Sequence, residues 1–371
     1  MPVTAGGRRS ALAVAGLAVF VYVVVVGALL NDAGGHPAAL VRFGEQSRPL
    51  PLAERVLGDD LYVASVQGHD GTNFWVLARD PLLVDPSGAD QGVTNPTTRS
   101  ARILYPLLAS PWRLGGEVSL LWGLVLTNLA LVAVGTYLAA RLSQSYGASA
   151  RGGFAFALNP AVFFGLTLDL SEVALVTMLV GFVLAVRRER YAWAVALAIA
   201  AGLSKEAGLL VVLAVAVLAP RLPRWFRVAA PAAAVGTYGA WVLYVRARAP
   251  GDGSSVRAFD PVPFRSLVEL LRDNWIPGRD WGAMVLGLLV VAAAAAIVVR
   301  FVQHRTLLTI AALPMALATP FYVTAVLYQP EDAGRALGAS LTFLFLDLFV
   351  GRAGAREDGH AGVVGPAPAA T

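Results

Sequence analysis

The chain has 371 residues, 57% of them hydrophobic and only 14% charged, against about 25% charged in an average soluble domain. That deficit sets aside an ordinary water-soluble domain and places the chain among polytopic membrane proteins. Cysteine is absent, which removes disulfides, zinc–thiolate centres and cysteine nucleophiles. The histidines are His36, His69, His304 and His360, and no two of them sit at metal-ligand spacing. The net charge of +5 is spread over the ends of apolar runs instead of one basic stretch, so no nucleic-acid partner is implied.

In chain order, Arg8-Arg9 precedes an uncharged apolar run from Ser10 to Leu30. It is long for a signal peptide and reads as a first span with its N-terminus in the cytoplasm. Residues 32–116 form a polar loop with Asp/Gly/Pro turn clusters. Within it, Gly71 to Ala78 suits one or two helical turns, since Phe74, Leu77 and Ala78 share a face. Ile103 to Trp112 is too short to cross a bilayer and reads as an interfacial or re-entrant stretch, with Tyr105 and Trp112 as headgroup-level anchors. Apolar segments then crowd together near 117–140, 152–168, 171–187, 190–203, 205–219, 228–246, 281–300, 306–326 and 335–351. The pieces at 190–203 and 205–219 are short and suggest broken helices.

The expected fold is therefore an all-α polytopic membrane protein of about ten transmembrane helices. Residues 1–351 make a single domain, with a large first outer loop at 32–116 and a second outer loop at 247–280 carrying Trp275 and bounded by Trp281. The Gly/Ala/Pro-rich residues 352–371 are expected to be a disordered cytoplasmic tail. Orientation follows the basic residues of short loops. Arg141 and Arg151, Arg187 to Arg190, Arg221 to Arg227, and Arg300 and Arg305 all fall on the side of the N-terminus. Of the acidic residues, only Glu189, Asp347, Glu357 and Asp358 do so. Both termini are then cytoplasmic.

Five polar constellations remain, and all fall on the outer side of this topology. Gly68-His69-Asp70-Gly71 offers a carboxylate flanked by two glycines, with room for a substrate to approach, or equally an ordinary turn. Arg99-x-x-Arg102, closed by Tyr105-Pro106, offers guanidiniums suited to a phosphate, or to snorkelling toward headgroups. Asp169 and Glu172 share a helix face at a junction of two spans. Ser204-Lys205-Glu206 holds the lone lysine, between two short helices. Its null role is an ion pair with Asp169 or Glu172 that staples helices. Glu331-Asp332-Ala-Gly-Arg335 opens the last span. Charged groups at membrane depth are functional candidates by default, and their gathering at one face suggests a site there with access for a lipid.

With these residues the chain resembles the bacterial multi-pass proteins related to the GT-C superfamily, which includes polyprenyl-phosphate-sugar-dependent mannosyltransferases. The matching pieces are Asp70-Gly71 followed by aromatics, Ala78-Arg79-Asp80-Pro81, Arg99 to Pro106, Asn128, Asn159-Pro160, Asp169-x-Ser-Glu172 and Ser204-Lys205-Glu206. The resemblance covers roughly residues 60–210, and the C-terminal third only through architecture and Arg335. It implies a sugar donor on a polyprenyl phosphate, a lipid or glycan acceptor, and a catalytic aspartate in the first outer loop, which maps onto Asp70. It further implies that Arg102, Lys205 and Arg335, with Arg99 and Tyr105, hold the donor phosphate, and that Asp169, Glu172 and Glu206 support them. Many relatives carry two acids in that loop, where this chain has His69-Asp70. The resemblance implies no cofactor, no metal and a bacterial cytoplasmic-membrane location. The Arg-to-Lys ratio of 28 to 1 fits a GC-rich bacterial genome. Two other readings stand beside it. One is a transporter or lipid flippase, marked by a charged path across the bilayer. The other is a non-catalytic scaffold, marked by an exposed Asp70.

Overall fold

The computed structural model describes residues 5–66, 68–85, 92–94, 96–249, 260–274, 281–328 and 330–361. Its helices are α1 (Ala5–Asp32), α2 (Ala38–Val41), α3 (Leu50–Leu57), α4 (Gly71–Arg79), α5 (Pro96–Arg99) and α6 (Leu104–Ala109). There follow α7 (Glu117–Ser145), α8 (Phe154–Ala157), α9 (Pro160–Thr167), α10 (Glu172–Arg187), α11 (Tyr191–Ser204) and α12 (Ala207–Leu218). The last are α13 (Arg224–Arg248), α14 (Arg265–Asn274), α15 (Trp281–Gln303), α16 (Leu307–Ala318), α17 (Thr324–Tyr328) and α18 (Pro330–Ala361). Among the described residues the fold is all-α apart from one short ribbon, in which β1 (Phe43–Gly44) pairs in parallel with β2 (Val63–Ser65).

Five helices, α1, α7, α13, α15 and the stretch Pro330–Gly351 of α18, are long and apolar enough to cross a membrane. The best window of α1 has a mean hydropathy of 2.7 and is only 22% buried. Leu12, Leu17, Phe20 and Val24 of α1 lie exposed, as do Leu243 of α13 and Leu289 of α15. So much outward-facing apolar surface suits a lipid surrounding and not water. The short helices α11 and α12 occupy the places expected of a broken pair.

At the centre stands α10, in which every residue from Glu172 to Val186 except Met178 is buried. It packs on α7 and α11, while α1 packs on α7, α11 on α13, and α18 on both α9 and α16. Two departures from the expected spans have clear causes. The segment 152–168 is broken, because Pro160 lacks a backbone N–H and starts a new helix, with the Asn159 side chain accepting from Ala161 N–H as its N-cap. The same Asn159 amide donates to the Gly338 carbonyl and to Thr342 Oγ1 (2.6 Å), so the break is tied to α18. The segment 306–326 ends as helix at Ala318, where Pro320 enters a 3₁₀ turn.

The last helix runs on to Ala361, so residues 352–361 are helical where a disordered tail is expected, and 362–371 lie outside the described residues. Of the second loop, Trp275 also lies outside them. Its described part is strapped to the bundle by Asp260 N–H donating to the Phe321 carbonyl (2.6 Å) and by Leu270 lying against Gly287.

Candidate functional site

The five constellations come together at one end of the bundle. Asp70 stands at the start of α4 but does not cap it. Its carboxylate instead bridges Arg99 and Arg335 (3.1 Å to the latter). Arg335 continues to Glu172 Oε1 (2.8 Å) and to Asp332 (3.1 Å). Lys205 reaches the same Oε1 at 2.9 Å, so of the two partners open to it, Glu172 is the one it meets. Arg102 forms a fork with Glu206, at 2.7 and 3.1 Å.

The loop is placed by glycine. A Cβ on Gly71 would meet the Leu168 and Val41 carbonyl oxygens at 2.6 and 2.8 Å, so only glycine lets α4 start this close to the α9–α10 junction. Gly68 is likewise held against Ser47. The glycines beside Asp70 therefore serve backbone packing and do not leave room for a substrate. The turn reading of Asp70 is seen directly, since Asn73 N–H donates to the Asp70 carbonyl in a helix-starting turn, while the side chain enters the ion-pair chain.

Burial alone would raise the Asp70 carboxyl, but the Arg99 and Arg335 guanidiniums outweigh it and hold it well below the usual carboxylate range. Burial outweighs the Asp70 charge at His69 and lowers its imidazole, which is neutral at pH 7. His69 Nδ1 is buried with no hydrogen-bond partner among the described residues.

Tyr105 departs from expectation. It is fully buried, so it is neither a headgroup anchor nor a group facing a donor phosphate. The short α6 turns it inward, edge-on to Phe74 (5.7 Å). Its hydroxyl lies 3.0 Å from the Leu124 carbonyl and 3.2 Å from Asp169 Oδ1, and Asn128 Nδ2 donates to it at 2.9 Å. Asp169, on a left-handed backbone (φ 49°), makes no ion pair among the described residues, and its Oδ2 has no hydrogen-bond partner among them. It is a core carboxyl beneath the site and does not support the cations directly.

A cavity of about 380 Å³ opens beside the network. Its lining combines the charged Arg102, Lys205, Glu206, Asp332 and Arg335 with the apolar Leu175, Leu179, Leu210, Val211 and Met315. Asp70 and Arg99 are not in its wall. Asp332 is, although in the sequence it stands out only as a neighbour of Arg335. Nothing local marks it, because the cavity is built from α10, α12, α16, α17 and α18 together. Among the described residues no group of three His, Asp or Glu side chains is arranged to hold a metal ion.

At the opposite end, Asp347 takes Arg300 (2.7 Å) and the Thr306 hydroxyl (3.0 Å). Arg187 stacks there over Tyr146 at 3.9 Å.

Comparison with protein-family models, with curated proteins and with solved structures returned no match to this chain.

Proposed function

We propose that this chain is an integral-membrane glycosyltransferase. It moves a sugar, mannose favoured, from a polyprenyl-phosphate donor to a lipid or glycan acceptor at the outer face of a bacterial cytoplasmic membrane. The observation that carries the reading is one cavity lined both by Arg102, Lys205 and Arg335 and by aliphatic side chains. A phosphate joined to a long hydrocarbon matches both kinds of lining. In this reading all ten apolar segments cross the membrane, the arginine-rich ends face the cytoplasm, and the cavity opens outside.

In the transfer, the bond between the anomeric carbon and the phosphate oxygen breaks, and its electron pair stays on the phosphate. The acceptor oxygen bonds to the anomeric carbon and gives up its proton. The leaving phosphate gains negative charge, which the three cations stabilise. Asp70 is an unsuitable proton acceptor while two guanidiniums hold it, since a lowered pKa means a weaker base. Among the described residues Asp332 lines the cavity with a single ion-pair partner, so the reading gives it the proton and gives Asp70 the positioning of Arg335.

A transporter fits less well. Among the described residues, the buried charged side chains sit at the two ends, Asp169 and Glu172 at one and Arg141 and Asp347 at the other. The test is transfer of radiolabel from polyprenyl-phosphate-mannose by purified protein in lipid nanodiscs with mixed lipid and glycan acceptors. Wild type is expected to transfer label, and Asp332→Asn to lose at least ~100-fold, the scale of general-base loss. Asp70→Asn is expected to raise the KM for donor and to keep the acid limb of the pH profile that Asp332→Asn abolishes. Folded protein that transfers neither mannose nor glucose would overturn the reading.

A further inference from the structure

A second cavity, of about 530 Å³, lies on the other side of the first turn of α18, within the ~300–1,000 Å³ usual for small-molecule sites. Asp32, Arg42, Tyr62, Phe163, Phe164 and Glu331 line it. The two cavities share that turn: Glu331 faces this one, Asp332 and Arg335 face the cationic one, and Gly334 between them lies against Phe164. The wall is also joined to the Asp70 loop, because His69 N–H donates to the Arg42 carbonyl at 3.0 Å.

The chemistry of the two cavities differs in sign. The first sets three cations against two carboxylates. The second sets two carboxylates against one guanidinium, and no ion pair joins Asp32, Arg42 or Glu331 to another described side chain. An excess of carboxylate repels phosphate and accepts hydrogen bonds from hydroxyls, since an ionised carboxylate has only acceptors. Phe163 and Phe164 stand edge to face at 5.3 Å, and Phe163 is 41% exposed, so aromatic surface is offered to an apolar C–H face. Carboxylates for hydroxyls and rings for C–H groups are the complement of a neutral sugar.

We infer that this cavity binds a neutral saccharide and seats it as the acceptor. The acceptor role rests on the transferase reading; the saccharide binding does not. The experiment is saturation-transfer NMR of the full chain in lipid nanodiscs, without donor, against a panel of methyl glycosides of mannose, glucose, galactose and arabinose. Ring protons of at least one glycoside are expected to receive saturation from wild type. The signal is expected to fall by about fivefold or more in Glu331→Gln and in Phe163→Leu, the size expected for loss of one good contact, with melting temperatures unchanged. Both side chains are partly or largely exposed, which keeps the variants foldable. Saturation of no glycoside, or equal saturation in wild type and both variants, would overturn the inference. Because no turnover is needed, saccharide contact in protein that fails to transfer label would sink the transferase reading and leave this site standing.

Discussion

Three carboxylates at the site end meet three different surroundings. Asp70 is shared by Arg99 and Arg335, and Glu172 gives one oxygen to both Lys205 and Arg335. Asp169 meets a phenol and an amide as its hydrogen-bond partners among the described residues. Burial pushes the Asp169 carboxyl up to about 7, the Tyr105 and Asn128 hydrogen bonds offsetting only part of that rise. Proton counting agrees. The single Tyr105 hydroxyl proton has two acceptors in reach, Leu124 O and Asp169 Oδ1, and a proton on Asp169 completes the set. Asp169→Asn, a neutral isostere, is therefore expected to keep the melting temperature within a few degrees. Asp169→Ala removes the acceptor shared by Tyr105 and Asn128 and leaves a void in the core, and is expected to cost about 2–5 kcal/mol, as a large-to-small core change does. Differential scanning fluorimetry in detergent, at a pH below about 7, checks both, and equal loss in the two variants would contradict a raised Asp169 carboxyl.

At the scale of elements, the break between α8 and α9 does more than end a helix. Asn159 caps α9 and its amide also holds α18 near Gly338, where an added Cβ would collide with Ala161. That contact fixes how far α18 slides along α9, and so where Asp332 and Arg335 stand against Glu172. Asn159→Ala removes a cap worth about 1 kcal/mol and an interhelical amide bond of similar size. The expected outcome is a lower melting temperature and a weakened hold on donor, read as a raised donor KM. An unchanged KM would separate the α9–α18 contact from the site.

The apolar segments were legible in the sequence because hydropathy is local. Three of the polar constellations were legible because charges stand out at the ends of apolar runs, and the two in the first loop because of their glycine-flanked acid and paired arginines. What was not legible depends on long-range placement. Lys205 had two acidic candidates in one helical turn, and only the packing of α10 against α12 and α18 selects Glu172. Tyr105 looked interfacial because an aromatic at the edge of a short apolar run has the same local signature as one turned inward. The Asn159-Pro160 signal was present, yet the apolar run across it outweighed the break. Asp332 had no signal beyond its proximity to Arg335.

Across the whole molecule, charge is polarised. From Glu172 at the site end to Arg187 at the other, α10 rises about 22 Å. The absence of cysteine makes this polarity directly testable with single cysteines. Leu114, 95% exposed beside α7, lies at the site end, and Glu189, exposed after α10, lies at the arginine end. In intact cells a membrane-impermeant maleimide is expected to label Leu114→Cys and to reach Glu189→Cys only after permeabilisation. The reverse pattern would put the site in the cytoplasm.

The central claim is that the cationic cavity holds a lipid-linked phosphate, and native mass spectrometry of the protein released from nanodiscs tests it most directly. Wild type is expected to retain a polyprenyl phosphate and not the matching polyprenol. Lys205→Gln and Arg102→Gln are each expected to weaken that retention by about tenfold or more, the loss of one charge-assisted contact. Equal retention of phosphate and alcohol, or of phosphate by wild type and both variants, would contradict the account.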